Sequence, residues 1–310
     1  MTITIETWPL SRSGPLATIW SASVEAAPFS YSVTPHEFSK KIVPVESDDE
    51  SLASSRSQTL IVALERSRPV GFAHLCACEV EIDNEGVECG VIRYLAFLPD
   101  AVDAGRVLLE KAEEIFVSEG RAHADAFPLF HGYSFHNHKI GILSKRIEHV
   151  TGLLASHGYS PHDGHLTMER PIDTPPLPDP RPDIDVNVER TIGKDNRPNL
   201  WVKATTKGQT VGNVRTISGP FYASDESLNT VAYTRWVDVA ASYRRRGIAR
   251  HLLRRALHEM HKEGYTMARL NCREKNLPAV ALYASEGYVT RDVSHAYVKD
   301  LGVDDNTSNS

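Results

Sequence analysis

The chain has 310 residues, of which 41% are hydrophobic and 24% charged, which is ordinary globular usage and argues against wholesale disorder. This length predicts one large or two modest domains. No stretch approaches the roughly 18 unbroken apolar residues of a membrane helix, and the first residues show no basic segment followed by an apolar run. We therefore expect neither a membrane span nor a secretory signal.

The cysteine pattern predicts the redox state of the thiols, and the charge distribution predicts where an anionic ligand binds. Cys76, Cys78, Cys89 and Cys272 include no CxxC pair, so reduced thiols in a cytoplasmic protein are the simplest interpretation. The formal net charge is -6, yet residues 183–302 have an excess of Lys and Arg while residues 1–182 are strongly acidic. An anionic ligand is therefore expected on the C-terminal half.

In the first half, a strand-like stretch over residues 91–98 precedes an amphipathic helix that ends at Gly120. Beyond it lies a segment rich in histidine and phenylalanine. A transition-metal site is conceivable there, but without HExxH or Cys/His spacing no metal is predicted. Loop histidines that line a substrate cleft are favoured instead, and the residues concerned are His131, His136, His138, Phe127, Phe130 and Phe135.

Residues 171–182 contain six prolines in twelve positions. Such a run supplies few backbone donors and favours an extended, semi-rigid spacer. The predicted organisation is therefore a first domain over residues 1–170, a linker over 171–182, a second domain over 183–302 and a frayed tail over 303–310. The alternative is one long surface loop at 171–182.

In the second half, a β-rich stretch over residues 231–240 leads into Arg244-Arg245-Arg246-Gly247-Ile248-Ala249 and an amphipathic helix that ends at Gly264. A helix N-terminus offers free backbone N–H groups and a partial positive charge, so it suits phosphate. Gly247 lets a ligand approach the backbone closely because it has no Cβ. This loop therefore predicts a polyanion site.

The two halves are related by an internal repeat. An offset of 144 positions aligns Leu108-Leu109 with Leu252-Leu253 and Glu119-Gly120 with Glu263-Gly264, and residues 153–159 resemble residues 282–288. The first copy has Asp100 and Asp103 where the second has its arginines. We infer a duplication in which one copy is built for a polyanion and the other has been altered.

The second copy resembles the GNAT superfamily of N-acetyltransferases. RRRGIA matches the family's [RQ]-x-x-G-x-[GA] loop, which cradles the coenzyme A pyrophosphate, and residues 276–288 resemble its N-x-x-A-x-x-L-Y-x-x-x-G-[FY] segment. The resemblance extends over residues 183–301 and, in altered form, over about 1–170. It implies an α+β fold of two tandem GNAT domains, each a mixed, mostly antiparallel sheet flanked by helices.

The resemblance also implies a mechanism. Acetyl-CoA is the co-substrate, held by the 244–249 loop, by backbone groups of Val237 and Val239 and by the amide of Asn276. A primary amine attacks directly, and Tyr283 acts as the general acid. Asp238 is a weak candidate for the base, since a solvated Asp on the face opposite Val237 and Val239 is the more ordinary interpretation. A carboxylate from the other half, or water, is equally open.

Other interpretations compete with each of these assignments. Without this context, Tyr283 would be interpreted as an aromatic residue of the core. The altered copy has Leu154 at the equivalent place, and this difference favours a catalytic role for Tyr283. The protein could instead be a catalytically silent acyl-CoA-binding regulatory module. A nucleic-acid patch built from Arg244–Arg246 and the helix arginines is a distant third, so no nucleic-acid partner is expected.

Several properties stay open at the level of the sequence. The second half has too few residues after its first strand for the two helices that wall the acceptor pocket in this family. Its pocket is therefore either walled by the N-terminal copy or open to a bulky acceptor. The acceptor itself and the possibility of a homo-oligomer are also undecided.

Overall fold

The structure is a computed structural model that describes residues 2–43, 56–82, 85–193 and 197–302. The chain divides into two compact units, one formed by Met1–Gly164 with Ser294–Ser310 and the other by His165–Val293. Each unit is a mixed, mostly antiparallel sheet flanked by helices, as the sequence predicts. Within the described segments, no helix has the length and apolarity needed to cross a membrane.

The first unit is built around one sheet. Strands β1 to β4 are antiparallel neighbours in chain order, β5 runs parallel to β4, and the last strand of the chain pairs antiparallel with β5 and β6. Its elements are β1 Ile3–Trp8, α1 Ala17–Ser23, α2 Pro35–Lys41, β2 Arg56–Glu65, β3 Arg68–Ile82, β4 Glu85–Phe97, α3 Val102–Ser118, β5 His123–Ala126, β6 Leu143–Ser144, α4 Glu148–Ser156 and the beginning of β7 Ser160–Pro171.

The second unit repeats this order. The end of β7 pairs with β12, which runs parallel to β11, and β10, β9 and β8 follow as antiparallel neighbours. The apolar face of the longer helix packs on the sheet through five fully buried side chains, Leu252, Leu253, Ala256, Leu257 and Met260. The elements are β8 Asp185–Thr191, β9 Asn199–Thr206, β10 Gln209–Ser218, β11 Val231–Val239, α5 Ile248–Lys262, β12 Met267–Arg273, α6 Leu277–Ser285 and the beginning of β13 Val289–Asp300.

The units differ in the connection that follows their first strand. Helices α1 and α2 lie between the first two strands of the first unit, whereas only residues 192–198 separate β8 from β9. That stretch is too short for two helices, in agreement with the sequence. The corresponding long helices α3 and α5 are each followed by a glycine with a positive φ, Gly120 at +75° and Gly264 at +80°.

The unit boundary differs from the one expected at the proline-rich segment. Residues 165–171 pair with β12 and belong to the second unit, which also contains residues 171–182, while residues 294–300 belong to the first unit. The physical reason is strand pairing. A strand's backbone groups need a neighbouring strand, and periodicity along the chain does not identify that neighbour. The expected tail at 303–310 lies outside the described residues.

The histidine-rich segment of the first unit does not line a cleft as expected. Phe127 and Phe135 are fully buried, and His131, His136 and His138 are between 1% and 4% exposed. Of the six residues expected to line the cleft, only Phe130 is exposed. In the described ranges, no three His, Cys, Asp or Glu side chains form a group that could hold a metal ion. The histidines are buried rather than exposed to a cleft because the aromatic side chains next to them in the sequence pack into the core.

Candidate active site

The parallel strands β11 and β12 separate partway along their length. They pair from Val231–Met267 to Thr234–Leu270, after which β12 continues only against β7 and β11 only against β10. The separation coincides with a bulge at Arg235, because Thr216 pairs with Thr234 while Arg215 pairs with Trp236. A bulge bends a strand and increases its twist. A gap therefore opens between the carboxyl ends of the two strands.

Backbone groups of β11 face this gap. The N–H of Ala240 donates to the Val211 carbonyl on β10 at 2.9 Å. Because alternate residues of a strand direct their backbone groups to opposite neighbours, those of Val237 and Val239 point away from β10. The Val239 carbonyl accepts the Nε–H of Arg244 at 2.9 Å. The N–H and carbonyl of Val237 and the N–H of Val239 remain on the open edge.

The loop that follows β11 presents backbone N–H groups. After a short turn at Ala241–Tyr243, Arg245 has φ +64° and Gly247 has φ +79°, and Gly247 is the N-cap of α5. In the part of the chain that the structure describes, the N–H groups of residues 245–249 donate to no protein acceptor. Successive free N–H groups at a helix N-terminus form an anion-binding concavity.

The three loop arginines play different parts. Arg244 folds back onto the end of β11, with its Nη2 4.0 Å from Oδ1 of Asp238. Arg246 donates to the Ser242 carbonyl at 2.9 Å and lies 5.2 Å from the centre of the Tyr243 ring. The exposed Arg245 side chain makes no hydrogen bond or ion pair with any described residue. It is therefore the loop cation with the greatest freedom to meet an anion.

Tyr283 lies on α6 and is 7% exposed. Its ring meets that of Tyr288 edge to face, with the centroids 5.8 Å apart. Burial raises the pKa of Tyr283 well above its usual range, with smaller contributions from Cys272, Tyr288 and Tyr233. Among the residues described, none hydrogen-bonds to its hydroxyl. The phenol therefore stays protonated at neutral pH, and its proton is available to a ligand.

Asn276 and Asp238 occupy less distinctive positions. Asn276 is the exposed N-cap of α6, where its Oδ1 accepts the N–H of Ala279 at 3.4 Å. Its amide nitrogen has no partner within the described segments. The Asp238 side chain is about half exposed, at 48%, and alternation places it on the face opposite Val237 and Val239, as the sequence predicts. The structure thus gives Asn276 a capping contact that the sequence analysis did not anticipate.

The arginines of α5 are engaged in ion pairs that the sequence did not reveal. Glu286, which is 1% exposed, pairs with Arg250 at 3.0 Å and with Arg254 at 2.8 Å. Arg190 and Arg255 pair with Glu259 in the same way. Arg255 and Glu259 are an i, i+4 pair on α5. Glu286 and Arg190 lie many residues from their partners, and no local pattern marks those pairs. The helix arginines are therefore neither a free solvated face nor a free cationic patch.

The corresponding region of the first unit differs in packing and charge. Strands β4 and β5 pair only from Gly90–Ala124 to Ile92–Ala126. Beyond that point Tyr94 stacks on Tyr133 at 5.0 Å and meets Phe127 at 5.1 Å. A cavity of about 550 Å³ at the start of α3 is lined partly by carboxylates, which disfavour phosphate, namely Glu65, Asp100 and Asp103.

The sequence and the fold were compared with known proteins. A family model described as the Acetyltransferase (GNAT) family matches residues 166–288. A search of curated proteins by sequence finds no significant match. The matched range contains β11, the 244–249 loop, α5, β12 and α6, which together carry the features described above.

Solved structures resemble the whole chain in fold. A tandem GNAT protein from the clavulanic acid biosynthesis pathway, solved without acetyl-CoA, has a TM-score of 0.68 at 13% identity and covers 97% of this chain and 99% of its own. A GCN5-related N-acetyltransferase from Sphaerobacter thermophilus has a TM-score of 0.62 at 14% identity, with 96% of each chain covered. A GCN5-related glucosamine N-acetyltransferase region of a fungal multi-domain β-N-acetylglucosaminidase gives 0.69 at 12% identity, over 96% of this chain and 38% of that one. Residues 166–288 therefore match the GNAT family, in a chain whose fold resembles that of tandem GNAT proteins.

Proposed function

We propose that the second unit is an N-acetyltransferase that moves an acetyl group from acetyl-CoA to a primary amine of a small molecule, peptide or protein. The observation that carries the proposal is the set of N–H groups at residues 245–249, at the N-terminus of α5, which donate to no acceptor among the described residues. This set lies within the matched GNAT domain, next to the strand that borders the gap. The first unit, with its altered loop, serves structure or acceptor selection.

The residues of the second unit suit this co-substrate. The N–H groups of residues 245–249 and the Arg245 side chain bind the diphosphate. Backbone groups of Val237 and Val239 hold the pantetheine arm and polarise the acetyl carbonyl, and the amide nitrogen of Asn276 donates to the same arm. Acetyl-CoA, when bound, supplies the acetyl thioester.

The transfer forms a carbon–nitrogen bond and breaks the carbon–sulfur bond. Tyr283 donates its proton to the leaving sulfur. Its hydroxyl has no partner in the described part of the chain, and its raised pKa keeps it protonated before the transfer. The amine loses its proton to water or to a carboxylate, for which Asp238 is a weak candidate. The products are an acetylated amine and free coenzyme A.

Replacing Tyr283 with Phe tests the catalytic assignment. General acid catalysis contributes roughly 10²–10⁴ in rate, so Tyr283→Phe should lower kcat by a factor in that range. The dissociation constant for acetyl-CoA should stay within about twofold, because the ring and its contact with Tyr288 are kept. Turnover is measured as thiol release from acetyl-CoA with a panel of amines, and binding by calorimetry. Unchanged turnover would contradict the role.

The same assay separates the alternatives. An enzyme releases thiol with at least one amine, whereas a silent acyl-CoA-binding module binds acetyl-CoA and never turns over. A chain that binds neither acetyl-CoA nor coenzyme A would overturn both proposals. Leu282→Met, a conservative change beside Tyr283 on α6, serves as the matched control and should leave kcat within about twofold.

A further inference from the structure

The proline-rich segment before β8 packs along α5 instead of standing apart from it. Ile172, which follows Pro171, and Ile184, which follows the last proline by two residues, are both buried in the core that α5 completes. Asp179 pairs with Arg254 of α5 at 3.2 Å. Arg181 reaches the loop that begins this helix. The segment thus brings an arginine to the candidate coenzyme site from outside the 244–249 loop.

Arg181 makes three hydrogen bonds that fix its guanidinium. Its Nε–H and an Nη2–H donate to the two carboxylate oxygens of Asp183 at 2.7 and 2.6 Å. An Nη1–H donates to the Arg246 carbonyl at 2.7 Å. The side chain is 20% exposed. An exposed ion pair alone contributes little, but the bidentate geometry with Asp183 aims the remaining donor at one carbonyl of the loop.

That carbonyl belongs to the peptide that precedes Gly247. The described residues contain no cis peptide bond, and in a planar trans peptide the C=O and the next N–H point in opposite directions. Arg181 therefore lies on the carbonyl side of the Arg246–Gly247 peptide and leaves the Gly247 N–H facing the other way. A Cβ at Gly247 would lie 3.4 Å from the Arg181 Nη1, so the guanidinium packs directly on the glycine.

We propose that Arg181 is a positioning residue for the diphosphate of the coenzyme. It holds the Arg246–Gly247 peptide in the orientation in which the Gly247 N–H faces the ligand. Its charge also polarises the Arg246–Gly247 peptide, because consecutive hydrogen bonds strengthen one another. The proposal rests on the proposed function. It makes residues 171–182 part of the coenzyme site rather than a spacer.

Arg181→Gln and Arg181→Lys test the proposal, with two ligands that differ in the diphosphate. Acetyl-CoA carries the diphosphate, and S-acetylpantetheine lacks it. Arg181→Gln should weaken acetyl-CoA binding by about tenfold, the scale of one charge-assisted hydrogen bond, and leave the affinity for S-acetylpantetheine unchanged. Arg181→Lys, which retains a cationic donor to the carbonyl, should recover part of the loss. The turnover number at saturating acetyl-CoA should stay the same, because Arg181 acts on binding.

Arg190→Gln is the matched control, since this arginine pairs with Glu259 and Glu263 near the other end of α5. It should leave the affinity for acetyl-CoA within about twofold, and thermal unfolding verifies that each variant folds. Unchanged acetyl-CoA affinity in Arg181→Gln would overturn the proposal, as would an equal loss for both ligands, which would indicate a general structural role. If the unaltered chain binds no acetyl-CoA, the proposed function itself fails, a result distinct from either of these.

Discussion

At the scale of single residues, Gly247 has a conformational role beside the one expected from the sequence. The sequence suggests that glycine lets a ligand approach the backbone closely at this position. In the structure the backbone itself requires it, because φ is +79°, a conformation that costs an L-residue roughly 1–2 kcal/mol. A Cβ at this position would point toward the Arg181 guanidinium. The motif therefore encodes the conformation of the loop as well as access for a ligand.

His136 shows how burial fixes a protonation state. Its Nε2–H donates to the Ile142 carbonyl at 3.0 Å. Its Nδ1 is an acceptor within reach of two hydroxyl donors, Ser30 at 2.7 Å and Tyr94 at 2.9 Å. Burial lowers the pKa of His136 to about 4, against a weaker opposing effect of the Ile142 carbonyl. The neutral imidazole is thus built into the core of the first unit.

This predicts a pH-dependent stability. Between about pH 6.5 and 4 the unfolded chain binds a proton at this histidine and the folded chain does not, so stability falls as the pH falls through this window. The full window corresponds to roughly 3 kcal/mol. His136→Gln should be less stable at pH 7 but lose less stability on acidification, as measured by urea unfolding at pH 7 and pH 4.5.

The exposed His36 provides the control for this experiment. His36→Gln should follow the unaltered chain at both pH values. If His136→Gln loses as much free energy of unfolding on acidification as the unaltered chain does, the assignment of this pH dependence to His136 is wrong.

At the scale of elements, helices α5 and α6 are joined by a buried carboxylate. Glu286 follows the end of α6, and both of its oxygens face arginines of α5, Arg250 and Arg254. Because Tyr283 lies one turn earlier on α6, this connection also holds the proposed acid relative to the helix that begins at the candidate phosphate loop. Arg250 and Arg254, which the sequence offered as part of a cationic patch, are used here for internal structure.

Glu286→Gln should therefore destabilise the second unit. Removing the charge takes the buried anion from Arg250 and from Arg254, and the exposed Asp179 that also pairs with Arg254 replaces little of it. The expected cost is roughly 2–3 kcal/mol in the free energy of unfolding. Chemical denaturation measures this loss. Glu226→Gln, at an exposed position with no ion pair to a described residue, should change stability by less than about 0.5 kcal/mol. Equal stability of the two variants would show that the pairs contribute nothing.

At the scale of the whole molecule, sequence order and unit membership do not coincide. The end of β7 completes the sheet of the second unit, and the end of β13, at the far end of the chain, completes the sheet of the first. In the first unit, Ala296 and Tyr297 are buried and Lys299 pairs with Glu113 at 2.7 Å. Residues 294–300, close to the C-terminal end of the sequence, therefore complete the sheet of the first unit.

A chain that ends at Val293 tests this organisation. It lacks the strand that pairs with β5 and β6, so the first unit should lose its fixed packing. The loss should appear as reduced near-ultraviolet circular dichroism and a lower Tm. A chain that ends at Gly302 keeps the whole of β13 and is the control for the shorter chain. Identical unfolding of both truncated chains would contradict the strand assignment.

Much of the fold and of the candidate site was determined by the sequence alone. Apolar residues at helical spacing predict the buried face of α5, and Gly120 and Gly264 mark the ends of corresponding helices. The repeat predicts two related units, and the 244–249 loop predicts the start of α5. These features are local, since each depends on residues within a few turns of one another.

The tertiary structure decided which distant residues meet. It assigned the ends of β7 and β13 to their sheets, paired Glu286 with Arg250 and Arg254, and brought Arg181 to the peptide before Gly247. Sequence reasoning could not supply these, because strand pairing and ion pairing depend on proximity in space rather than on spacing along the chain. Periodicity specifies which face of an element is buried, whereas only the packed fold specifies what lies against it.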